Sequence, residues 1–281
     1  MLDSPPRASP KPRAAPNDTR QPRRASGTDH PEIMTQPRYS VVIPCYNEVD
    51  NILSLVAEVV QAMRDLGPYE IVVIDDCSTD GSREHLQRAL PNWPGVLRVI
   101  AHRVNRGQSA ALCTGVDAAC GAWIVTLDGD GQNDPADIPD LLARIPPDGG
   151  EWIIVCGHRK RRRDTWVRRI SSRIANGVRS WALGDATPDT GCGLKVFPRA
   201  LFAILPRFDH MHRFLPALAQ RSGAASISVA VNHRPRLHGQ SKYGIGNRLW
   251  VGIVDLMGVM WLRRRAFRAA RCDELAPGAG P

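Results

Sequence analysis

Trp123-Ile-Val-Thr-Leu-Asp-Gly-Asp-Gly-Gln132 is the stretch whose reading decides the fold. Its first half is apolar and β-branched without alternation, which is the pattern of a strand buried on both faces. The strand ends abruptly in Asp128-Gly-Asp130-Gly-Gln132, two carboxylates spaced by glycines. Two unpaired carboxylates at one point repel each other. A divalent cation such as Mg2+ or Mn2+, which prefers oxygen ligands and substrate phosphates, resolves that repulsion. An acidic, solvated turn is the plainer alternative for the same residues, so the surroundings have to decide.

Upstream the chain repeats one rhythm. Tyr39-Ser-Val-Val-Ile-Pro44 reads as a buried strand. Ile52, Leu55, Val56, Val59, Val60 and Met63 recur at helical spacing within Asn51 to Leu66. Glu70-Ile-Val-Val-Ile-Asp75 is a second strand, running into the turn and cap residues of Asp76-Cys-Ser-Thr-Asp-Gly81. A helix over Ser82 to Leu90, a strand over Val96 to His102 and a helix over Gln108 to Cys120 follow, before the strand at Trp123. Strand and helix alternating in this way predict a parallel sheet with right-handed crossovers. Ligands of such sheets lie beyond the carboxyl ends of the strands. Three polar clusters fall there: Pro44-Cys-Tyr-Asn-Glu48, Asp75-Asp76 and Asp128 to Gln132. Their convergence carries more weight than any one of them. Asp75 and Asp76 are expected to hydrogen-bond a base or ribose, with helix capping as the alternative. Tyr46 is placed to stack on a base and Glu48 to accept from a ribose hydroxyl. Asn105-Arg-Gly107 precedes a helix whose N-terminus suits a phosphate.

The second half is less regular. Asp137 to Ile145 reads as a helix, Trp152 to Cys156 and Ala225 to Val231 as strands. From Arg159 to Arg179, Trp166, Ile170, Ile174, Val178 and Trp181 recur at helical spacing among arginines, predicting a basic amphipathic helix that either lies on a membrane surface or is a solvated face. Ile245 to Leu262 is a further apolar helical stretch, followed by Arg263-Arg264-Arg265. The expected organisation is a Pro- and Arg-rich disordered tail over residues 1–37, a globular domain over 38–243, an amphipathic segment over 244–266 and a second tail over 267–281.

Bulk properties narrow the partners. The net charge of +9, from 37 basic against 28 acidic residues in 281, favours an anionic partner. Seven cysteines without a CxxC pair argue against a disulfide framework or a zinc site, and point to a reducing cytoplasm. No apolar run reaches the roughly 20 residues of a membrane span. No nucleic-acid motif accompanies the basic residues, so a nucleic-acid partner is not expected. The lack of GxGxxG after the first strand argues against a dinucleotide oxidoreductase.

These motifs resemble the family-2 glycosyltransferases, whose GT-A fold is Rossmann-like. The resemblance rests on Val41-Val-Ile-Pro-Cys-Tyr-Asn-Glu48, Ile74-Asp-Asp-Cys-Ser-Thr-Asp-Gly-Ser82, Asn105-Arg-Gly-Gln-Ser-Ala-Ala-Leu112 and Leu127-Asp-Gly-Asp-Gly-Gln132, and covers about residues 39 to 262. The second half is similar to the dolichol-phosphate mannosyltransferase branch, which includes bacterial undecaprenyl-phosphate sugar transferases. The matching runs there are Gly157-His-Arg-Lys160, Arg163-Asp-Thr-Trp166, Ser172-Arg-Ile-Ala-Asn176, Asp189-Thr-Gly-Cys-Gly-Leu-Lys195 and His233-Arg-Pro-Arg-Leu-His-Gly-Gln-Ser-Lys-Tyr243.

The resemblance implies a nucleotide-sugar donor, GDP- or UDP-linked, bound by Pro44, Tyr46, Glu48, Asp75, Asp76, Gly129 and Asp130. It implies Mg2+ or Mn2+ on Asp128, Asp130 and Gln132. Arg159, Arg173, Lys195, Arg234 and Lys242 are implied for the donor diphosphate and a polyprenyl-phosphate acceptor, with Asp130, Arg173 and Lys242 at the centre of catalysis. Lys195 stands where many relatives carry Arg, so it neutralises phosphate without a bidentate fork. Asp189 is a further candidate for orienting the acceptor, with a turn before Gly191 as the alternative. Transfer with inversion, peripheral attachment to the cytoplasmic face of a membrane (directly or through an integral partner) and a possible homo-oligomer complete the expectation. A soluble family-2 enzyme extending a glycan on a sugar hydroxyl is the competing one.

Overall fold

The computed structural model describes residues 36–147, 152–159, 189–235 and 245–265. Arg173, Lys242, the basic stretch from 160 to 188 and both predicted tails lie outside them.

The element order begins β1 (Tyr39–Cys45), α1 (Ile52–Met63), β2 (Tyr69–Asp75), α2 (Ser82–Ala89), β3 (Leu97–Ala101), α3 (Gln108–Ala118) and β4 (Trp123–Thr126). Each agrees with its sequence reading to within a few residues, because each is a self-contained strand or amphipathic helix. After β4 come α4 (Ile138–Leu142), β5 (Ile153–Arg159), β6 (Lys195–Pro198), α5 (Arg199–Ala203), α6 (Leu215–Arg221), β7 (Ala225–Val231) and α7 (Ile245–Arg264). Of these, β6, α5 and α6 have no counterpart in the sequence reading.

The seven strands form one sheet in the order β3-β2-β1-β4-β6-β5-β7. β3, β2, β1 and β4 run parallel to one another, and β7 runs parallel to β5. β6 is antiparallel to both its neighbours, β4 and β5. The parallel expectation therefore holds for most of the sheet. The exception is β6, only four residues long, which slots between two strands that precede it in the chain.

Alternate residues of each strand feed opposite faces, as the period of two requires. Val41, Ile43, Ile71, Val73, Val125 and Val155 join Ile52, Val56, Val59 and Met63 of α1 in one core cluster. Val42, Ile124, Ile154 and Phe197 join Leu112 and Val116 of α3, together with residues of α5, α6 and α7, in the other. Each fully buried Ile, Val or Leu contributes about 1.5–3 kcal/mol relative to exposure, so both faces are strongly specified. α7 belongs to the second cluster through Val259, which is fully buried. It is held further by Arg221, whose Nε donates to the Leu262 carbonyl at 2.9 Å.

Candidate active site

The carboxyl ends of β1, β2 and β4 lie side by side, so the three polar clusters of the sequence are brought together. Cys45 is in register with Asp75, and Asp76 N donates to the Cys45 carbonyl at 2.8 Å. The loops after β1 and β2 are laced to each other. Asn47 N donates to Ser78 Oγ at 2.9 Å, Glu48 N to Ser82 Oγ at 3.0 Å, and Thr79 N to Asn47 Oδ1 at 2.7 Å. The Glu48 side chain accepts from Asn51 Nδ2 at 2.8 Å, while Tyr46 stays exposed. Gly129 closes against β1: a Cβ there would stand 2.8 Å from the Pro44 carbonyl oxygen, so only glycine lets the β4 loop lie against Pro44.

Asp75 and Asp76 are buried, and protein groups occupy their carboxylates. Arg83 Nε donates to Asp75 Oδ2 at 2.8 Å and Ser78 N to Oδ1 at 3.2 Å. Asp76 Oδ1 accepts from Arg106 N at 2.9 Å, and Oδ2 from Gly107 N at 2.7 Å. His102 Nδ1 lies 2.7 Å from the same Oδ1, and its Nε2 lies 2.9 Å from Thr114 Oγ1 of α3. With Nδ1–H donating to the carboxylate, the ring bridges Asp76 and the Thr114 hydroxyl. In this structure Asp76 helps to build the turn that leads into α3, a structural role of the kind the sequence reading set beside nucleotide binding.

Asp128 and Asp130 stand in contrast. Desolvation and the neighbouring Asp130 carboxylate push the Asp128 carboxyl up to about 6, against the pull of Lys195, Arg159 and a hydrogen bond from Gln108. Gln108, the first residue of α3, donates Nε2 to Asp128 Oδ1 at 2.7 Å. Asp130 Oδ1 accepts from Gln132 N at 3.1 Å, which folds the acidic loop back on itself. Beneath it, Gly193 packs directly on the Asp128 carboxylate, leaving no room for a Cβ. Thr126 Oγ1 fixes that approach by donating to the Gly193 carbonyl at 2.6 Å. Among the described residues no group of three or more His, Cys, Asp or Glu is placed to hold a metal. Two carboxylates with an amide oxygen fit an ion of the Mg2+ or Mn2+ type that completes its shell with water and phosphate oxygens.

The cationic residues divide. Arg159, at the end of β5, forks onto Asp189 with Nε 2.5 Å from Oδ2 and Nη2 2.8 Å from Oδ1. Lys195, buried at the start of β6, donates Nζ to the Cys192 carbonyl. Both are near enough to act on the Asp128 carboxyl. Arg234 follows Gln132 through a backbone bond of 3.0 Å, but its guanidinium is held between Glu58 and Asp134. Of the five cations implied for phosphate, Arg159 and Lys195 lie beside the acidic loop, although Arg159 is itself forked onto Asp189; Arg234 is held by two carboxylates, and Arg173 and Lys242 are outside the described residues.

Several contributors escaped the sequence reading. Arg83, His102, Gln108 and Gly193 act through other residues, and His212 joins them from far along the chain. His212 Nδ1 lies 2.8 Å from Ser109 Oγ, at the start of α3. Desolvation, with Arg213, Lys195 and His210 adding to it, lowers the His212 pKa to about 3, so the ring is neutral here. Gln108 and Gly193 left a trace in the sequence, within the Asn105 to Leu112 and Asp189 to Lys195 runs.

A sheet of this topology, with an acidic loop at the end of β4 facing the polar loops of β1 and β2, defines a GT-A-like nucleotide-sugar-binding fold. The chain belongs to glycosyl transferase family 2, whose profile matches residues 40–205. It is 36% identical over 231 residues to the dodecaprenyl-phosphate galacturonate synthase of Rhizobium johnstonii, covering 80% of this chain and 67% of the relative. It is 37% identical over 209 residues to the undecaprenyl-phosphate 4-deoxy-4-formamido-L-arabinose transferase of Edwardsiella ictaluri, covering 73% of this chain and 63% of the relative. The chain therefore spans about two thirds of the length of these relatives. Among solved structures, a mannosyltransferase of Pyrobaculum calidifontis in complex with GDP-Man and Mn2+ superposes with a TM-score of 0.58 at 20% identity, over 84% of this chain and 66% of the other. The glucosyl-3-phosphoglycerate synthase of Mycobacterium tuberculosis in complex with phosphoglyceric acid gives 0.54 at 21% identity, over 84% and 82%. These likenesses agree in the fold.

Proposed function

We propose that this chain transfers a sugar from a GDP- or UDP-sugar to a polyprenyl phosphate, with inversion at the sugar carbon, at the cytoplasmic face of a membrane. The observation that carries the proposal is the likeness to two enzymes named for dodecaprenyl and undecaprenyl phosphate, over 73–80% of this chain. The product is a lipid-linked sugar of use in building cell-envelope glycans.

The local chemistry supports the reading. A phosphate monoester is already ionised and nucleophilic, so a strong base is not required. The demand is to hold two anionic groups together and to stabilise the departing diphosphate. Asp128, Asp130 and Gln132 would hold Mg2+ or Mn2+, which when bound supplies charge neutralisation to that diphosphate. Gln108 and Gly193 orient Asp128 for this. Arg159 and Lys195 add positive charge on the side of the acidic loop, and Arg173 and Lys242 are assigned the acceptor phosphate on the family pattern. An acceptor phosphate oxygen bonds to the sugar carbon as the bond from that carbon to the diphosphate oxygen breaks, and the nucleoside diphosphate leaves.

The test is incubation of the purified protein with Mn2+ or Mg2+, polyprenyl phosphate and a panel of GDP-mannose, UDP-glucose and other UDP-sugars, with the lipid product analysed by mass spectrometry. A polyprenyl monophosphate sugar is expected with one donor, and Asp130→Ala abolishes it. Transfer to free saccharides but never to a lipid phosphate overturns the proposal in favour of a glycan-extending enzyme.

A further inference from the structure

Two cations near the acidic loop are left without a bonded carboxylate. The short turn Met211–Arg213 sets His212 against α3, where its Nδ1 lies 2.8 Å from Ser109 Oγ and its backbone N donates to the same oxygen at 3.4 Å. Ser109 follows Gln108, whose amide reaches Asp128. The charged groups that act on the His212 ring are Arg213, Lys195 and His210, and Lys195 acts on Asp128 as well. His210 is answered by Asp255, with Nδ1 3.0 Å from Oδ2. Arg83, Arg98, Arg159 and Arg234 are partly buried, and each meets a carboxylate. Arg213 is partly buried too, and Lys195 is 4% exposed, yet neither is ion-paired among the described residues. The Lys195 ammonium gives one of its N–H groups to the Cys192 carbonyl. Positive charges held together out of water repel one another, and an anion entering among them relieves that repulsion.

We infer that Lys195, Arg213 and the His212 ring form a subsite for the phosphate monoester of the acceptor, on the α3 side of the acidic loop. The inference deepens the polyprenyl-phosphate reading above and rests on it. His212 and Arg213 stand outside the set of residues that the family resemblance implies. The charges of Lys195 and Arg213 together match a phosphate dianion, and the departing diphosphate is left to the ion proposed at Asp128 and Asp130. With the Ser109 hydroxyl donating to Nδ1, the ring proton sits on Nε2, which offers the anion a further hydrogen bond. The ring is unsuited to act as a base. Desolvation, with Arg213, Lys195 and His210, lowers its pKa to about 3, so near neutral pH it does not keep a proton taken from a hydroxyl. A phosphate acceptor arrives ionised and needs donors rather than a base, which is what this cluster supplies.

Calorimetry of the full chain with farnesyl phosphate, a short prenyl phosphate monoester, tests it in the presence of Mn2+ with UDP or GDP. The parent is expected to bind farnesyl phosphate in preference to farnesol, which lacks the phosphate. Arg213→Gln weakens that binding by about tenfold or more, as expected for loss of a charged donor. His212→Asn, which still reaches Ser109, weakens it less, and His212→Gln, whose amide reaches the Nε2 position, retains most of it. Binding of Mn2+ with UDP or GDP is unchanged in these variants, a readout that a purely structural role of His212 behind Ser109 and Gln108 does not spare. In turnover with polyprenyl phosphate the same variants raise the acceptor KM and leave the donor KM alone. Equal loss of nucleotide affinity assigns the cluster to the donor diphosphate and overturns the inference. Unchanged farnesyl phosphate affinity in both Arg213→Gln and His212→Asn overturns it as well. Sugar transfer to polyprenyl phosphate at an unchanged acceptor KM in these variants removes the subsite and leaves the proposed function standing. A parent that binds farnesyl phosphate no better than farnesol and makes no polyprenyl-linked product overturns both.

Discussion

The sheet presents two pairs of acids at the ends of β2 and β4, the strands on either side of β1, and their surroundings differ. Asp75 and Asp76, at the end of β2, accept hydrogen bonds from or pair with Arg83, His102 and three backbone N–H groups. Asp128, after β4, is buried with the like charge of Asp130 acting on it, and its carboxyl is raised to about 6. The same residue type thus serves two ends. A carboxylate bonded by several protein donors helps to organise a loop, whereas a carboxylate beside a like charge gains from an external cation. Buried acids in a cleft are therefore informative through what already binds them.

The largest expected effect tests the second pair. Asp128→Asn removes a proposed metal ligand and the repulsion together, so transfer should fall by at least about a thousandfold, measured as initial rate with Mn2+. The metal-free variant should nevertheless melt higher than the parent. The sign follows from linkage. With a folded value near 6 against a reference of 3.8, the ionised group opposes folding of the metal-free protein, and its stabilising contribution is lost as pH rises through about 6. Above pH 6, Asn should stabilise by up to about 2–3 kcal/mol. An unchanged or lower melting midpoint in chelator at pH 8 breaks the contrast between the pairs.

Next comes Asp76→Ala, which leaves Arg106 N, Gly107 N and His102 without their acceptor. A loss of about 2–4 kcal/mol is expected from urea unfolding, since orphaned buried donors cost about 1–3 kcal/mol each and part of this loop admits water. If Asp76→Ala keeps full stability and loses only nucleotide affinity, Asp76 belongs to the ligand and the distinction fails.

Gln108→Ala should be milder. The fold is retained, while Mn2+ binding measured by calorimetry weakens about three- to tenfold, in line with losing one hydrogen bond to a charged group. Confined to acid conditions is the pH response of His212. Its folded value of about 3 lies below the ordinary 6.5, so stability is fully present above pH 6.5 and declines as pH falls toward 3. His212→Asn should flatten that part of the stability profile measured by urea unfolding. A profile unchanged by the substitution would assign the acid sensitivity elsewhere.

The first half of the chain was legible because its signals are local. β1 to β4 are four- to seven-residue apolar runs, separated by α1, α2 and α3, each ended by its own turn residues. The strand-end position of Glu48, Asp75 and Asp128 follows from that pattern without any knowledge of long-range contacts. β6 was not legible. Lys195-Val-Phe-Pro198 is too short to show a period, and only its place between β4 and β5 makes it a strand. α5 and α6, of five and seven residues, fail for the same reason: fewer than two turns of helix carry little periodicity.

The sequence by itself determined the parallel α/β half of the sheet and the identity of the acidic loop at its edge, because strand and helix periods and the residues that end them are written locally. Only the tertiary structure decided what surrounds each acid. That depends on Arg83 and His102 reaching Asp75 and Asp76, on Gln108 and Gly193 closing on Asp128, and on Arg234 being taken by Glu58 and Asp134, all partners brought together by folding from distant parts of the chain.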